Sequence, residues 1–251
     1  MTFNMRTHCE TDGVNNFFNR APFISEWLHR VRPDIIGMQE VKPCMYTRLL
    51  ADLEDYVIVG GGRGADLGDE AVPIAFRRDA FFLTDLATFW LSAEPHTPGS
   101  RYTGDQSGCP RICTSVTLKP VDGEPFRVYN VHTDHVGEYA RVLASNQVLQ
   151  KIDEDNLLSP MPTFITGDFN AYPDTLCIKT IIGYRGGFFT DLTANVGGTF
   201  HDFGRREKEE KIDYIFAEKG VKCLSCEKLT DHREDGVWLS DHYPVMAEVE
   251  L

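Results

Sequence analysis

The sequence predicts a mixed-sheet α/β sandwich formed by one domain over residues 1–251. Three observations predict it. Short apolar strands alternate with amphipathic helices early in the chain, strand-like runs dominate later, and no linker or low-complexity segment divides it. With 251 residues and 42% hydrophobic content the chain can bury a substantial core. The formal net charge is −13, so the overall field repels long polyanions and argues against long duplex DNA as a partner. No run of 18 apolar residues offers a membrane span. The chain opens almost directly on a strand, without a signal peptide, which points to the cytoplasm; a processed secreted form would read the same. Seven cysteines stand at irregular spacing, and the lone C-x-x-C, Cys223 to Cys226, lacks a second ligand pair. They read as free thiols in a reducing compartment.

In order, Thr2–Arg6 reads as a first short strand, and the polar stretch Thr7–Asn19 as a loop. Ala21-Pro22 opens a helix, because a proline's fixed φ and missing N–H suit a first turn. Ile24, Trp27, Leu28 and Val31 give that helix one apolar face, and Pro33-Asp34 ends it. Ile35–Glu40 is a buried strand ending in a carboxylate. Met45, Leu49, Leu50 and Leu53 mark a second helix, and Tyr56–Val59 a strand. Gly60–Gly64 is glycine-rich but lacks the Lys-Ser/Thr and the following helix of a phosphate loop. A flexible loop is expected there, from which Arg63 could reach a substrate. Val72–Arg77 and Phe81–Phe89 read as a strand pair turning at Asp79-Ala80. Ser92–Pro110 is a long irregular loop of the kind that often serves function. Ile112–Leu118 and Phe126–Val131 are strands joined through Asp122-Gly123, and Tyr139–Ile152 is a helix. Phe164-Ile165-Thr166 is a buried strand that runs into Gly167-Asp168-Phe169-Asn170. A short helix over Asp174–Ile182, a loop-rich stretch to Gly204 and a solvated charge run at Arg205–Lys211 follow. Ile212–Ala217, Val221–Leu229 and Pro244–Val249 are the late strands.

The chemistry gathers at strand ends. Asp168 and Asn170, two residues apart, project to the same side of the chain. The carboxylate suits a hard metal or a proton from water, and the amide suits a substrate oxygen. An ordinary strand-to-loop turn would use the same residues. Asn4, Glu40, His132, Asp213, Asp241 and His242 also stand in or just past strands. Most have a bland reading as hydrogen-bonded or turn residues, but a charge at Asp213 inside an apolar strand needs a partner. Together, carboxylates, imidazoles and amides at strand ends are what Mg²⁺-assisted phosphoester hydrolysis requires.

The ordered series Phe3-Asn4, Gln39-Glu40, Asn130-Val131-His132, Gly167-Asp168-Phe169-Asn170, Ile212-Asp213-Tyr214 and Ser240-Asp241-His242 resembles the endonuclease/exonuclease/phosphatase superfamily. That superfamily has a deoxyribonuclease-I-like fold. The match spans nearly the whole chain. Phe89-Trp90-Leu91-Ser92, Pro98-Gly99-Ser100 and Pro110-Arg111 resemble bacterial proteins grouped with the nocturnin-like deadenylases.

The resemblance implies a four-layer sandwich of two face-to-face mixed sheets flanked by helices, with the site at one edge. It implies Glu40 as the main Mg²⁺ ligand, with Asn4 and Asp241 near it and Mn²⁺ as a substitute. Asp168 would orient or deprotonate the attacking water, and Asn170 would bind a phosphoryl oxygen. His242, with Asp213 behind it, would stabilise the transition state. His132 would contact phosphate or assist the leaving group, paired with Glu70. Arg111 would contact phosphate, and Arg6 and Asn130 would touch substrate. His135 has two equal readings, as a site residue and as a structural one. The implied substrate is an RNA or nucleotide phosphodiester, cut from a 3′ end by a monomeric enzyme. The acidic charge is compatible with the alternative, a small phosphorylated metabolite or lipid head group. A binding module that has lost catalysis would share the fold, but every polar position of the constellation is filled.

Overall fold

The computed structural model describes residues 1–251. Two six-stranded sheets carry the architecture. The first contains β1 (Thr2–Asn4), β2 (Ile35–Gln39), β3 (Tyr56–Val59), β4 (Ile74–Arg77), β11 (Lys222–Lys228) and β12 (Val245–Glu250), in the order β11-β12-β1-β2-β4-β3. The second contains β5 (Phe81–Trp90), β6 (Ile112–Pro120), β7 (Phe126–His132), β8 (Thr163–Asp168), β9 (Phe189–Asp191) and β10 (Asp213–Glu218), in the order β5-β6-β7-β8-β10-β9. Each sheet has one parallel pair, β1 with β2 and β7 with β8; every other pairing is antiparallel.

Alternation along the strands makes the layers. On β1 and β2, Phe3, Ile36 and Met38 face outward against Ala21, Ile24, Trp27 and Leu28 of α1 (Phe17–Val31) and Met45 and Leu49 of α2 (Pro43–Asp52). On β7, β8 and β10, Tyr129, Val131, Ile165, Tyr214 and Phe216 face outward against Ala144, Val148, Leu149 and Ile152 of α3 (Glu138–Leu158) and Ile178 and Ile181 of α4 (Leu176–Gly183). The intervening residues point between the sheets. Ile74, Phe76, Val116, Leu118, Val128 and Phe164 form an apolar middle there. The result is the expected four-layer sandwich.

Three elements depart from expectation. α1 starts at Phe17, not Ala21, because Asn16 caps it by accepting from the Phe18 amide. The preceding stretch holds a 3₁₀ segment, Glu10–Asn15, inside what the sequence offers as loop. β4 and β5 are not partners. Both edges of β4 are taken by β2 and β3, so the chain crosses to the other sheet and β5 pairs with β6.

The inner faces change character along the strands. At one end they part around an apolar cavity of about 660 Å³ that includes Ile35, Phe126, Phe164 and Val249. At the other end the inward residues turn polar: Thr2 and Asn4, Gln39, Asn130 and His132, Thr166 and Asp168, and Asp213 are all buried. Asn130 stitches the two sheets together behind this edge. Its Nδ2 donates to the carbonyls of Met38, Val72 and Pro73, and its Oδ1 accepts from Gln39 Nε2 and Thr166 Oγ1. Gly37 leaves room for the stitch, since a Cβ there would meet Thr166 Oγ1 at 2.4 Å and Asn130 Oδ1 at 2.6 Å.

Candidate active site

The polar edge is assembled by register. His132 on β7 stands beside Asp168 on β8, and Asp168 stands opposite Asp213 on β10. Gly167 lets β8 approach closely enough, because a Cβ there would lie 2.2 Å from the Val131 carbonyl. Two carboxylates opposite each other repel unless a cation intervenes. His242 is that group: its Nδ1 lies 2.9 Å from Asp213 Oδ2 and its Nε2 3.8 Å from Asp168 Oδ2. Burial disfavours the imidazolium, but the charges of Asp213, Asp168 and Asp241 outweigh it and raise the His242 pKa to about 10. Burial and the Asp213 charge push Asp168 up to about 7, against the pull of His242 and the Asn170 amide.

The first sheet brings the rest. Asn4 Nδ2 donates to Glu40 Oε1 at 3.1 Å and to Asp168 Oδ2 at 2.9 Å, bridging the two sheets. Glu40 Oε2 accepts from the Thr7 amide at 2.8 Å. Its recessed position raises the Glu40 pKa, but the Thr7 amide, His242 and Asn4 prevail and hold it below the ordinary value. Arg6, Glu40 and Asn170 all have left-handed φ, at 51°, 62° and 47°. Each sits just past a strand, where the chain must turn while its side chain stays at the edge. The Asp168 Oδ1 steadies one such turn by accepting from the Asn170 amide at 2.9 Å.

His132 lies 3.6 Å from Asp168 and is buried. Burial, Arg111, Arg63 and His242 hold its pKa well below the ordinary histidine value, so it is a neutral imidazole. The family resemblance implies Glu70 as its partner. Glu70 does share a cavity of about 10 Å³ with His132, Arg63 and Arg111, but its carboxylate is bonded to Arg63 Nη1 at 2.9 Å. That volume is about one water molecule's worth. Burial and the Glu40 charge raise the Glu70 pKa.

Four expectations are revised by position. Asn130 touches no surface, because one pleat inward from His132 puts it inside the sandwich. Asn4 presents its NH₂ to the carboxylates, and its oxygen is taken by the Arg6 amide, so as oriented it spaces ligands instead of being one. Arg63 does not reach out from a floppy loop. The Gly62, Arg63 and Gly64 amides bond Leu67, Glu70 and Gly68 carbonyls, and Trp90 Nε1 donates to the Arg63 carbonyl. Arg6 is engaged by Asp12, with both bonds at 3.0 Å, and stands 3.6 Å from Asp241.

Arg20 is not among the residues expected from the sequence. Fully buried, it donates to the carbonyls of Met5, Arg6, Asn15 and Leu239, tying the turn after β1 to the segment before Ser240. Its place on the helix face beside Phe17 and Ile24 was the available signal. Thr133 was also missed. Its amide bonds the Asp168 carbonyl, its hydroxyl donates to the Phe169 carbonyl, and its own carbonyl accepts from Asn170 Nδ2.

The donor set suits a divalent cation. Glu40, Asp168, Asp213 and Asp241 crowd one recess, and burial together with the Glu40 charge opposes ionisation of Asp241. Hard carboxylate oxygens in excess of nearby cations are what Mg²⁺-type ions bind. Ligand atoms of Glu40, His132 and Asp168 lie within 4.8 Å of one another, as do those of Asp168, Asp213 and His242. Asp241 Oδ2 stands 3.6 Å from Arg6 Nε.

Comparison with known proteins identifies the family. The profile of the Endonuclease/Exonuclease/phosphatase family matches residues 1–242. None of the curated proteins matches. Among solved structures, an endonuclease/exonuclease/phosphatase from Bacteroides vulgatus is 35% identical with a TM-score of 0.91, covering 100% of this chain and 97% of its own. A mannosyl-6-phosphatase from Bacteroides thetaiotaomicron is 28% identical with a TM-score of 0.91, covering 100% and 98%. The human Nocturnin catalytic domain with bound sulfate is 18% identical with a TM-score of 0.75, covering 98% and 90%. No helix is long and apolar enough to cross a membrane. The chain belongs to the endonuclease/exonuclease/phosphatase family and is, by that membership, a metal-dependent phosphoester hydrolase.

Proposed function

We propose that the chain releases phosphate from a small phosphorylated metabolite of the sugar-phosphate class, by in-line attack of water in a Mg²⁺-dependent reaction. One observation carries the choice of substrate: the cations around the site are already matched to carboxylates. Arg6 is held by Asp12, Arg63 by Asp69 and Glu70, and Arg111 lies against Asp134. A single strand needs a track of free cations and open aromatic faces. Trp90 is buried, Tyr102 is hydrogen-bonded to Gln147, and Phe200 lies against His242. The net charge of −13 points the same way. A 28%-identical structure named as a mannosyl-6-phosphatase supports the reading. The RNA or nucleotide reading rests on the nocturnin likeness, which at 18% identity carries the fold alone.

Glu40 would hold the cation with Asp168 or Asp241 beside it, and the cation would neutralise phosphoryl charge and polarise the ester. Asp168, with its raised pKa, accepts a proton from the attacking water. Imidazolium His242, oriented by Asp213, faces the oxygens on which charge develops. Asn170 holds a phosphoryl oxygen. Neutral His132 donates a hydrogen bond at the leaving oxygen, with Glu70 and Arg111 fixing its surroundings. The test is a panel of mannose 6-phosphate, other sugar phosphates, inositol phosphates and single-stranded RNA, with and without Mg²⁺. Phosphate release from sugar phosphates, lost in Asp168→Ala, is expected. Shortening of RNA without release of inorganic phosphate would overturn the reading.

A further inference from the structure

His135 is exposed, yet one of its ring nitrogens is fixed from inside the protein. Arg111 Nη2 lies 2.7 Å from His135 Nδ1, and the Arg111 side chain is only 5% exposed. A guanidinium has donors and no acceptor. His135 Nδ1 must therefore carry the lone pair, and the ring proton sits on Nε2. That outer nitrogen makes no hydrogen bond within the protein. The guanidinium cannot easily turn away, because its Nε faces Asp134 at 3.5 Å. Asp134 is itself held by the amides of Ser107, Val136 and Gly137.

The location ties this donor to the reaction. His135 lies three residues past His132, on a segment that Thr133 fastens to the Asp168–Asn170 turn. Its partner Arg111 lines the same small cavity as His132, Arg63 and Glu70. A histidine kept for packing would be buried, and this one is not. The long loop also has a role here. Asp105 caps α3 by accepting from the Tyr139 and Ala140 amides, and Ser107 braces Asp134. The loop that the sequence marks as irregular is thus the outer wall of the Arg111–His135 pair.

We propose that His135 is a substrate-contacting residue that selects the alcohol side of the phosphoester, offering its Nε2–H to an uncharged oxygen of the group being released. The proposal rests on the small-metabolite reading above and goes beyond it. A neutral donor suits a hydroxyl, whereas the phosphoryl oxygens are served by Asn170 and cationic His242, and the ester oxygen by His132. Arg111 is then a positioning residue that fixes the tautomer.

The experiment compares wild type, His135→Ala and His135→Gln on mannose 6-phosphate and on phenyl phosphate, whose leaving group carries no hydroxyl. His135→Ala is expected to raise KM for mannose 6-phosphate roughly tenfold, the worth of one hydrogen bond, with a smaller effect on kcat. The loss on phenyl phosphate should be several-fold smaller, and His135→Gln, which keeps an N–H, should recover part of the difference. Equal losses on both substrates, or none on mannose 6-phosphate, would overturn the proposal while leaving the small-metabolite reading intact. Should mannose 6-phosphate not be hydrolysed, the comparison is run on whichever sugar phosphate of the panel is, and a wild-type enzyme that releases phosphate from none of them would refute that reading and this proposal with it. Independently, ¹⁵N NMR of the ring should show Nε2 protonated and Nδ1 bare in wild type, and a tautomer mixture in Arg111→Gln. A protonated Nδ1 in wild type would remove the basis of the argument.

Discussion

Asn130→Asp separates a substrate contact from a structural stitch. The substitution keeps the shape of the side chain but replaces its two donors with an acceptor. That oxygen would face the carbonyls of Met38, Val72 and Pro73, now at 2.7, 3.2 and 3.1 Å from Nδ2. An unpaired buried carboxylate costs about 3–5 kcal/mol, so the group keeps its proton and its folded pKa rises above the unfolded value of about 3.9. A raised carboxyl pKa means the unfolded state loses its proton first, and stability falls as pH rises from about 4 through the folded value. Urea unfolding at pH 8 should show the full loss of about 3–5 kcal/mol, and pH 5 a smaller one. By heat, the midpoint at pH 8 should drop by about 10 °C for a chain of this length. The folded fraction should keep the wild-type KM within about twofold. A wild-type melting point combined with a raised KM would refute this reasoning and restore Asn130 to the substrate.

Further predictions concern the site. Asp213→Asn should lower kcat by roughly a hundredfold and move the His242 titration down from about 10, read by ring NMR; an unmoved titration would break the assignment of His242 as an imidazolium held by Asp213. The pH dependence of kcat/KM should rise through about 7, as Asp168 loses its proton, and fall through about 10, as His242 loses its own; a profile flat across pH 6–8 would argue against Asp168 as the base. Chelation should abolish turnover and Mg²⁺ or Mn²⁺ restore it. Mg²⁺ at about 100 times its Kd should add about 2.7 kcal/mol of stability by linkage, a gain that Glu40→Gln should largely remove.

Much of the site could be read from the chain because its residues stand where apolar strands stop. Gly167 to Asn170 and Ser240 to His242 interrupt hydrophobic runs with groups that an ordinary strand would not bury. The register that sets Asp213 opposite Asp168 could not be read, since pairing between distant strands leaves no local mark. Asn130 was misplaced for a simple reason. It belongs to the same motif and the same face as His132, but one pleat separates a rim residue from an interior one. The β4–β5 connection looks like a hairpin turn, and only the occupied edges of β4 exclude it. Arg20 shows the converse limit. A cation on a helix reads as solvated unless the carbonyls waiting for it are known.

The order of the strands along the chain has a consequence for synthesis. The second sheet is one uninterrupted stretch, from Phe81 in β5 to Glu218 in β10, and can form while the ribosome is still working. The first sheet cannot be completed as early, because the free edge of β1 must wait for β12, which carries β11 on its other side. Asp241 and His242 lie between β11 and β12, so Asp168 and Asp213 stand without their imidazolium until both sheets' other strands, except β12, have been made. A nascent chain that has not reached residue 242 therefore holds the facing carboxylates of Asp168 and Asp213 without the imidazole that lies between them.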